Sequence, residues 1–557
     1  MLTHSRNLPV GAAAFAPERP PGPTGRPRRG LSVLTTTERY TAASWRMIWP
    51  RMAGLASRRR LVGIVTVLFW LAGLLSSCGA KSVAAPATGS TYPGGAPASG
   101  LVWSACNGAD GPKGYQCATV AVPLNPESSA QPGTVRIALD RHLGASPSDG
   151  VLLINPGGPG VSGVDFLPQV MAMVPRSVSE HFDVVGFDPP GVGHSDPVTC
   201  ESSSKLLDFV NADPAPTSPG GFAKLVAADR AFAEACEKRS GRQLPYVSTV
   251  DAAIDMDKVR EALGVTSISY LGFSYGTLLG ATYADMFPNR VRAMVLDGAV
   301  NPDLGAVQSL DAQSDGFEAE LDSMITSCKA DKACPWSPGS DPLGAFESLM
   351  ASVAAHPLAV RGSSQPFGLA QFLYATGAGL YTPSSWPTLE TGLALLGKGD
   401  PSVLHGLFDS YIGLSSSGVS NELEAEAAVT CLDTPAPSLA ALEAAAPAAE
   451  KAAPVFGLFN LYSEALCSVW PVPATGRPKV LRAVGSPPIV VVATTGDPAT
   501  PYAEGVALAG QLQHGVLLTR VGEGHTAYAY SSCIRSYVNS YLLDLTVPPP
   551  GVRCPSD

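Results

Sequence analysis

The chain of 557 residues is long enough to bury a large core, and with 45% hydrophobic and 15% charged residues it is too apolar for a disordered protein. Its formal net charge is −10, and the first 77 residues contain 11 arginines against two glutamates. The remainder has 26 basic and 45 acidic residues, a formal charge of −19. This acidic body argues against non-specific nucleic-acid binding, because neutralising phosphates requires Lys and Arg.

The N-terminus has the pattern of a targeting segment. A basic run ending at Arg60 precedes the apolar stretch Leu61–Leu75, which is shorter than the roughly 20 residues of a membrane-spanning helix. Leu75-Ser76-Ser77-Cys78 then resembles a bacterial lipobox. We predict that residues 1–77 are a disordered N-terminus and signal peptide, and that Cys78 carries a lipid anchoring the exported protein to the membrane. An ordinary signal peptide or a single membrane anchor is the alternative.

The cysteines are consistent with export. Of the 11 cysteines, ten remain when Cys78 is set aside, and none forms a Cys-x-x-Cys or zinc-type spacing, so no metal or other cofactor is expected. Buried free thiols are the alternative to disulfides, which are favoured in an exported chain. Sequential pairing, which keeps the loops short, predicts five bonds: Cys106–Cys117, Cys200–Cys236, Cys328–Cys334, Cys431–Cys467 and Cys533–Cys554.

Strand-like and helical segments alternate over much of the chain. Residues 78–100 are rich in Ala, Gly, Pro and Ser and are predicted to be a flexible tether. Alternation over 101–302 predicts a mostly parallel sheet, which resumes over 476–557. Between them, 303–475 has helical periodicity and is predicted to be a helical cap inserted into the α/β domain. The predicted strands are 117–122, 134–139, 151–155, 182–187, 267–271, 291–296, 488–493 and 516–521.

The segment Gly272-Phe273-Ser274-Tyr275-Gly276 lies between a predicted strand and a predicted helix. Gly-x-Ser-x-Gly in that setting is typical of the sharp turn that exposes the nucleophile of an α/β-hydrolase. The pattern also occurs by chance in glycine-rich chains, and this one has 57 glycines. We therefore predict Ser274 as a nucleophile, subject to finding its partners.

A serine nucleophile requires a base and an acid that orients the base, and in this fold the chain order is Ser, acid, His. Asp497 and His525 each follow a predicted strand, so both are expected at the sheet edge that carries Ser274. As non-catalytic alternatives, Asp497 could cap the N-terminus of a helix, and His525 could be a loop histidine that faces solvent. Asp297, at the end of an earlier strand, is a rival acid.

The predicted oxyanion hole combines backbone N–H groups of two loops. One is that of Tyr275, and the other comes from Gly157 or Gly158 after the strand 151–155. The same loop matches Gly-x-Gly-x-x-Gly at 158–163, so a dinucleotide site is a formal alternative, but it leaves Ser274 and its partners unexplained.

Four motifs together resemble the secreted tripeptidyl aminopeptidases of actinobacteria, in the prolyl-aminopeptidase branch of α/β-hydrolases, including their lipid-anchored mycobacterial members. They are Gly-Gly-Pro-Gly at 157–160, Asp-Pro-Pro-Gly-Val-Gly-His-Ser at 188–195, Gly-Phe-Ser-Tyr-Gly at 272–276 and Gly-Asp-Pro-Ala-Thr-Pro at 496–501. The resemblance covers about residues 100–557 and implies an enzyme that releases short peptides from free N-termini.

Such an enzyme needs a carboxylate to bind the substrate ammonium group. Asp433 matches a family position best, and Glu426 is the second candidate, with Glu424 and Glu464 also available. A solvated acidic helix face is the alternative interpretation. Thr500 is expected to support the acid or the histidine through a hydrogen bond.

The sequence therefore predicts an exported serine peptidase that acts on peptide N-termini. A carboxylesterase or lipase of the same fold and a non-catalytic surface lipoprotein are the alternatives. The sequence gives no information on oligomeric state.

Overall fold

A ten-stranded sheet lies at the centre of the structure, a computed structural model that describes residues 101–106, 114–125, 133–146, 149–336 and 338–556. The predicted signal peptide, Cys78 and the tether lie outside these residues. The strands are β1 (Ser104–Ala105), β2 (Tyr115–Pro123), β3 (Thr134–His142), β4 (Val151–Asn155), β5 (Asp183–Phe187), β6 (Ile268–Phe273), β7 (Val291–Asp297), β10 (Ile489–Gly496), β11 (Gly515–Glu523) and β12 (Arg553–Cys554), with β8 (Leu414–Ser415) and β9 (Gly418–Val419) forming a separate hairpin.

The sheet order is β1-β2-β3-β5-β4-β6-β7-β10-β11-β12. Strands from β5 to β12 in this order pair in parallel, whereas β1, β2 and β3 pair antiparallel at one end. This confirms the predicted mostly parallel sheet. Its parallel strands have their carboxyl ends along one edge, where the functional sites of α/β proteins form. The short edge strands β1 and β12 were not predicted.

Helices cover both faces of the sheet. Those between and after its strands are α1 (Gly163–Met173), α2 (Arg176–His181), α5 (Thr249–Ala262), α6 (Tyr275–Met286), α15 (Tyr502–Gln511) and α16 (Ser532–Asp544). Alternate strand residues point to opposite faces, so Leu153 packs with α5 and α6 while Leu152 packs with α1 and α16. Strands buried on both faces explain why β4, β5 and β6 are mostly apolar rather than alternating.

The described residues between β7 and β10, in the segment predicted as a cap, form eight α-helices. They are α7 (Ala306–Ala330), α8 (Pro342–Ala355), α9 (Leu369–Leu380), α10 (Trp386–Leu396), α11 (Ser402–Tyr411), α12 (Glu422–Asp433), α13 (Leu439–Ala452) and α14 (Gly457–Ser468). They bury a hydrophobic core of their own, with Phe346, Phe372 and Leu389 at its centre. We propose that this segment is one part of the cap.

Two further helices, α3 (Ser203–Val210) and α4 (Gly221–Ser240), pack with these cap helices although they precede α5 in the chain. Val210 belongs to the cap core, and Val226 packs with Leu442 and Leu461 of α13 and α14. The sequence prediction placed both helices in the first part of the α/β core. We propose instead that the cap consists of two insertions, because both bury their apolar faces on cap helices.

The structure joins the five cysteine pairs that sequential pairing predicts. Cys200–Cys236 and Cys431–Cys467 lie in one hydrophobic cluster that contains residues of α4, α12 and the end of α14. Among the described residues, no helix is both long enough and apolar enough to cross a membrane.

Candidate active site

Ser274 occupies a sharp turn between β6 and α6, with φ +53° and ψ −128°. The turn is tight because the flanking glycines allow close backbone approach. A Cβ on Gly272 would lie 2.5 Å from the carbonyl oxygen of Gly276, and one on Gly276 would lie 2.7 Å from Asn155 Oδ1. Side chains at either position would force the strand and helix apart, so the motif's glycines keep Ser274 at the carboxyl end of β6.

His525 lies in the loop after β11, and its Nδ1 is 2.8 Å from Asp497 Oδ1. Asp497, in the loop after β10, also accepts the backbone N–H of Thr500 at 2.9 Å and of Thr526 at 3.1 Å. Thr500 Oγ1 lies 3.3 Å from the same imidazole nitrogen. These contacts fix the ring, and because Nδ1 faces a carboxylate, the other nitrogen is free to act as a base.

The rival acid, Asp297, has a different arrangement. Its buried carboxylate accepts the backbone N–H groups of Ala527 and Tyr528, at 3.0 and 2.8 Å. Its own carbonyl accepts the N–H of Ser274 at 2.9 Å. Asp297 therefore connects the Ser274 turn and the loop after His525 to the carboxyl end of β7. Of the two acids, Asp497 is the one that forms a hydrogen bond with the imidazole.

The Nε2 atom of His525 is buried and has no hydrogen-bond partner among the described residues, Ser274 included. Burial by itself lowers the pKa of His525, but the negative charge of Asp497, its hydrogen bond and the charge of Asp297 outweigh that effect and raise the pKa above the ordinary value. An imidazole that is anchored on one side and unsatisfied on the other has the arrangement that a general base requires.

Two loops carry the predicted oxyanion donors. Tyr275 is the first residue of α6, so its N–H lacks an intrahelical acceptor. Gly157 lies beside Ser274, since a Cβ on it would be 2.8 Å from Ser274 Cβ, but its N–H donates to Asn155 Oδ1 at 3.0 Å. Gly158 lines the cavity in front of Ser274. We therefore propose Gly158, with Tyr275, as the donor pair.

A cavity of about 490 Å³, the main cavity, opens at Ser274 and lies between the sheet edge and the cap. Core residues such as Gly158, Tyr275 and Thr500 form one wall, and cap residues such as Tyr381 and Glu426 form the opposite wall. A molecule that reaches Ser274 through this cavity therefore lies between the two layers.

The four predicted ammonium-binding carboxylates are in different environments. Asp433 lines the main cavity, but its two oxygens accept the N–H and hydroxyl of Thr249 at 2.8 and 2.6 Å. Glu424 accepts the N–H groups of Cys200 and Glu201 and does not line the main cavity. Glu426 and Glu464 line the main cavity and form no ion pair with a described Lys or Arg, so they are free to bind a ligand.

Burial raises the pKa of these cavity carboxyls. The pKa of Glu426 is raised to about 7, first by burial and second by the charge of Glu422. The pKa of Glu464 is raised to about 7 by burial. Burial also raises the pKa of Asp433 to about 7, although the bonds from Thr249 oppose this. A carboxylate enclosed by protein without a counter-ion is costly, and a bound cation would relieve that cost.

The sequence analysis did not identify several residues at this site. Asn155 holds the glycine loop through Gly157, and Tyr381 contacts His525 from the cap. Thr249 links Asp433 to the hydroxyl of Tyr275, which lies 2.6 Å from its Oγ1. Asn155 ends a predicted strand directly before the glycine loop and could have been proposed from that position. Tyr381 and Thr249 carry no local signal, because only the cap packing brings them to the site.

The fold and the site together define a serine hydrolase of the α/β-hydrolase fold. A family model described as "TAP-like protein" matches residues 453–554. Serine protease Hip1 of Mycobacterium tuberculosis is 36% identical over 473 residues, 81% of this chain and 90% of that protein. Carboxylesterase B of the same species is 37% identical over 454 residues (79% and 86%), and tripeptidyl aminopeptidase of Streptomyces lividans is 31% identical over 466 residues (80% and 84%). The chain belongs to this family of actinobacterial tripeptidyl aminopeptidase-like serine hydrolases.

Proposed function

We propose that the chain is an exported serine aminopeptidase that releases di- or tripeptides from free N-termini. The observation that carries this proposal is the position of Glu426, a carboxylate without a cationic partner among the described residues, in the wall of the cavity that contains Ser274. An enzyme that recognises a substrate ammonium group needs such a carboxylate, whereas an enzyme for neutral esters gains nothing from it. Two of the relatives, named as a serine protease and a tripeptidyl aminopeptidase, support the same class.

The proposed reaction uses the side chains in standard roles. His525 Nε2 takes the proton of Ser274 Oγ as the oxygen attacks the scissile carbonyl carbon, and the N–H groups of Tyr275 and Gly158 bind the resulting oxyanion. Collapse breaks the C–N bond, and the imidazolium gives its proton to the departing amine. Water, deprotonated by His525, then hydrolyses the acyl-enzyme. Asp497 keeps the imidazole oriented and stabilises its charged form, and Thr500 supports the same nitrogen.

The first test compares tripeptide p-nitroanilides with a free or an acetylated N-terminus. We expect hydrolysis of the free-amine substrate, loss of turnover on acetylation, and no turnover by Ser274→Ala. Glu426→Gln should raise KM by about tenfold or more, because the substrate ammonium group loses one charged hydrogen bond. Glu424→Gln is the control, because the Glu424 carboxylate accepts hydrogen bonds from backbone N–H groups and does not line the main cavity. Equal turnover of free and acetylated substrates would contradict ammonium recognition.

A carboxylesterase is the second candidate, favoured by the 37% identity to a relative named carboxylesterase B. Faster hydrolysis of neutral p-nitrophenyl esters than of any free-amine anilide would support it. A fluorophosphonate probe separates both enzymes from a non-catalytic binding protein. Absence of an adduct on Ser274 in the folded protein would contradict both enzymatic functions.

We also propose that the protein is exported and anchored through a lipid on Cys78. The support is the lipobox-like sequence and five disulfides, which form in oxidising compartments. Intact mass of the protein purified from membranes should correspond to residues 78–557 with a lipid added. Cys78→Ser should leave the protein unlipidated, and a mature N-terminus elsewhere would contradict the proposal.

A further inference from the structure

A second cavity of about 280 Å³, the inner chamber, lies entirely between cap helices. It borders the main cavity, since Leu310, Tyr411, Thr430, Glu426 and Glu464 line both. Its remaining wall contains the aromatic rings of Phe209, Phe232, Tyr374, Phe459 and Tyr462. A ligand that enters past Ser274 can therefore extend one group past Glu426 into the inner chamber.

Three carboxylates line the inner chamber, each from a different helix: Asp229 of α4, Glu426 of α12 and Glu464 of α14. None of the described residues that line it is Lys, Arg or His. Tyr374 lines the same chamber, and its pKa is raised first by burial and second by the negative charges of Glu426 and Asp229. The chamber thus combines aromatic walls with three carboxyl groups that form no ion pair with a described Lys or Arg.

Asp229 differs from the other two carboxylates because it lines the inner chamber and does not line the main cavity. It is 4% exposed, and its Oδ2 is buried without a hydrogen-bond partner among the described residues. Burial raises its pKa to about 7. A buried carboxyl oxygen without a partner is unfavourable for the folded protein, and a ligand that supplies the missing donor would relieve that cost.

We propose that the inner chamber binds the cationic side chain of an N-terminal Lys or Arg of the substrate, with Asp229 as its specificity-determining residue. This inference rests on the proposed aminopeptidase function. Glu426 and Glu464, at the border with the main cavity, bind the α-ammonium group. Asp229 then receives the ammonium or guanidinium group at the end of the side chain.

The chemistry of the walls favours a cationic side chain over a neutral one. An α-ammonium group at Glu426 and Glu464 leaves Asp229 without a cationic partner, whereas a cationic side chain gives its ionised form one. The methylene groups of Lys or Arg can pack against the aromatic rings, and the charge is attracted to the faces of rings such as Tyr374 and Phe459. A neutral aliphatic side chain fills the same space but leaves Asp229 without a donor.

The test compares Lys-Ala-Ala-p-nitroanilide with norleucine-Ala-Ala-p-nitroanilide, which has nearly the same shape and lacks the side-chain charge. For the wild-type protein we expect kcat/KM to be higher for the Lys substrate by about tenfold or more, mainly through KM. Asp229→Asn should remove most of that difference while changing the norleucine value by less than about twofold. Glu234→Gln, on the exposed side of the same helix α4, is the matched control and should keep the wild-type ratio.

The outcomes separate this inference from the function on which it rests. Cleavage of both substrates with equal kcat/KM by the wild-type protein would overturn the inner-chamber proposal and leave the aminopeptidase intact. Cleavage of neither substrate would overturn both. If Asp229→Asn lowers both kcat/KM values equally while its melting temperature is unchanged, the side-chain role of Asp229 is wrong. If Asp229→Asn does not fold, two other measurements test the proposal. The wild-type protein should prefer the Lys substrate over the norleucine substrate in kcat/KM, and Glu464→Gln should raise KM for both substrates.

Discussion

The backbone N–H of His525 donates a 2.7 Å hydrogen bond to the carbonyl oxygen of Tyr381, at the carboxyl end of cap helix α9. The ring of Tyr381 also packs edge-on against the imidazole, with 5.5 Å between the ring centres. The cap therefore contacts the proposed base through both backbone and side chain. Changes at this contact should alter catalysis without touching Ser274.

Gly524 tests the contact between the cap and the histidine loop. Its φ is +99°, and a Cβ there would lie 2.7 Å from Pro383 Cδ and 3.3 Å from the carbonyl oxygen of Tyr381. Gly524→Ala should lower kcat/KM by roughly 10- to 100-fold, since strain of about 1–3 kcal/mol must be relieved by shifting the loop or the cap.

Gly551→Ala is the control for this prediction, because its φ is also positive, at +79°, but nothing lies within 4 Å of the added Cβ. It should cost some stability and leave kcat/KM unchanged. Equal losses of kcat/KM in the two variants, measured with a free-amine tripeptide anilide, would show that cap contact is not the cause.

The two candidate acids should respond differently to the same substitution. Asp497→Asn should lower kcat by roughly 10⁴-fold, because the amide cannot hold the imidazole in the required tautomer or stabilise its charge. Asp297→Asn should retain kcat within about tenfold but lower the melting temperature, since an acceptor of the Ala527 and Tyr528 N–H groups is lost, at roughly 1–3 kcal/mol. The reverse pattern would identify Asp297 as the acid.

The reactivity of Ser274 should depend on pH through His525. The proposed base is the neutral imidazole; burial by itself lowers its pKa, but Asp497 and Asp297 raise it above the ordinary value. The rate should therefore fall as pH decreases through a midpoint above about 6.5, the ordinary histidine pKa. Fluorophosphonate labelling of Ser274 measures this without a titrating substrate amine. A labelling rate that is constant from pH 5 to 8, or a midpoint below the ordinary value, would contradict the assignment.

A disulfide of the cap should stabilise it more when the loop it closes is longer, although the gain grows only with the logarithm of loop length. Cys431 and Cys467 are 36 residues apart, whereas Cys328 and Cys334 are six apart. Chain-entropy arguments give about 4 kcal/mol for the longer loop and about 2 kcal/mol for the shorter one. Replacing the Cys431–Cys467 pair by serines should thus lower the midpoint of urea unfolding more than replacing the other pair. Equal losses would contradict the entropic explanation.

Much of the sheet could be predicted from the sequence, because β4, β5 and β6 are buried on both faces and appear as short apolar runs between turn residues. The two-residue strands β1 and β12 were missed, since two residues carry no periodicity. The segment that contains α3 and α4 was predicted only as part of the α/β core, without its place in the cap. An amphipathic pattern reveals an apolar face but does not identify the surface that buries it.

The candidate site divides in the same way. Ser274, Asp497 and His525 could be proposed because each follows a strand, and parallel strands bring their carboxyl ends to one edge. The choice among cap carboxylates could not be made, because Asp433 and Glu426 lie on the same helix and differ only in their tertiary partners. Asp229 gave no signal at all within the helical sequence of α4.

The sequence by itself determined the alternation of the main strands and helices, the residues that follow those strands and the cysteine spacing, since these depend on local periodicity and chain order. The tertiary structure alone decided which acid bonds His525, which carboxylates remain unpaired, and how the cap closes over Ser274. The physical reason is that the pairing and burial of a charged group depend on neighbours far apart in the chain, which meet only when the cap packs on the sheet.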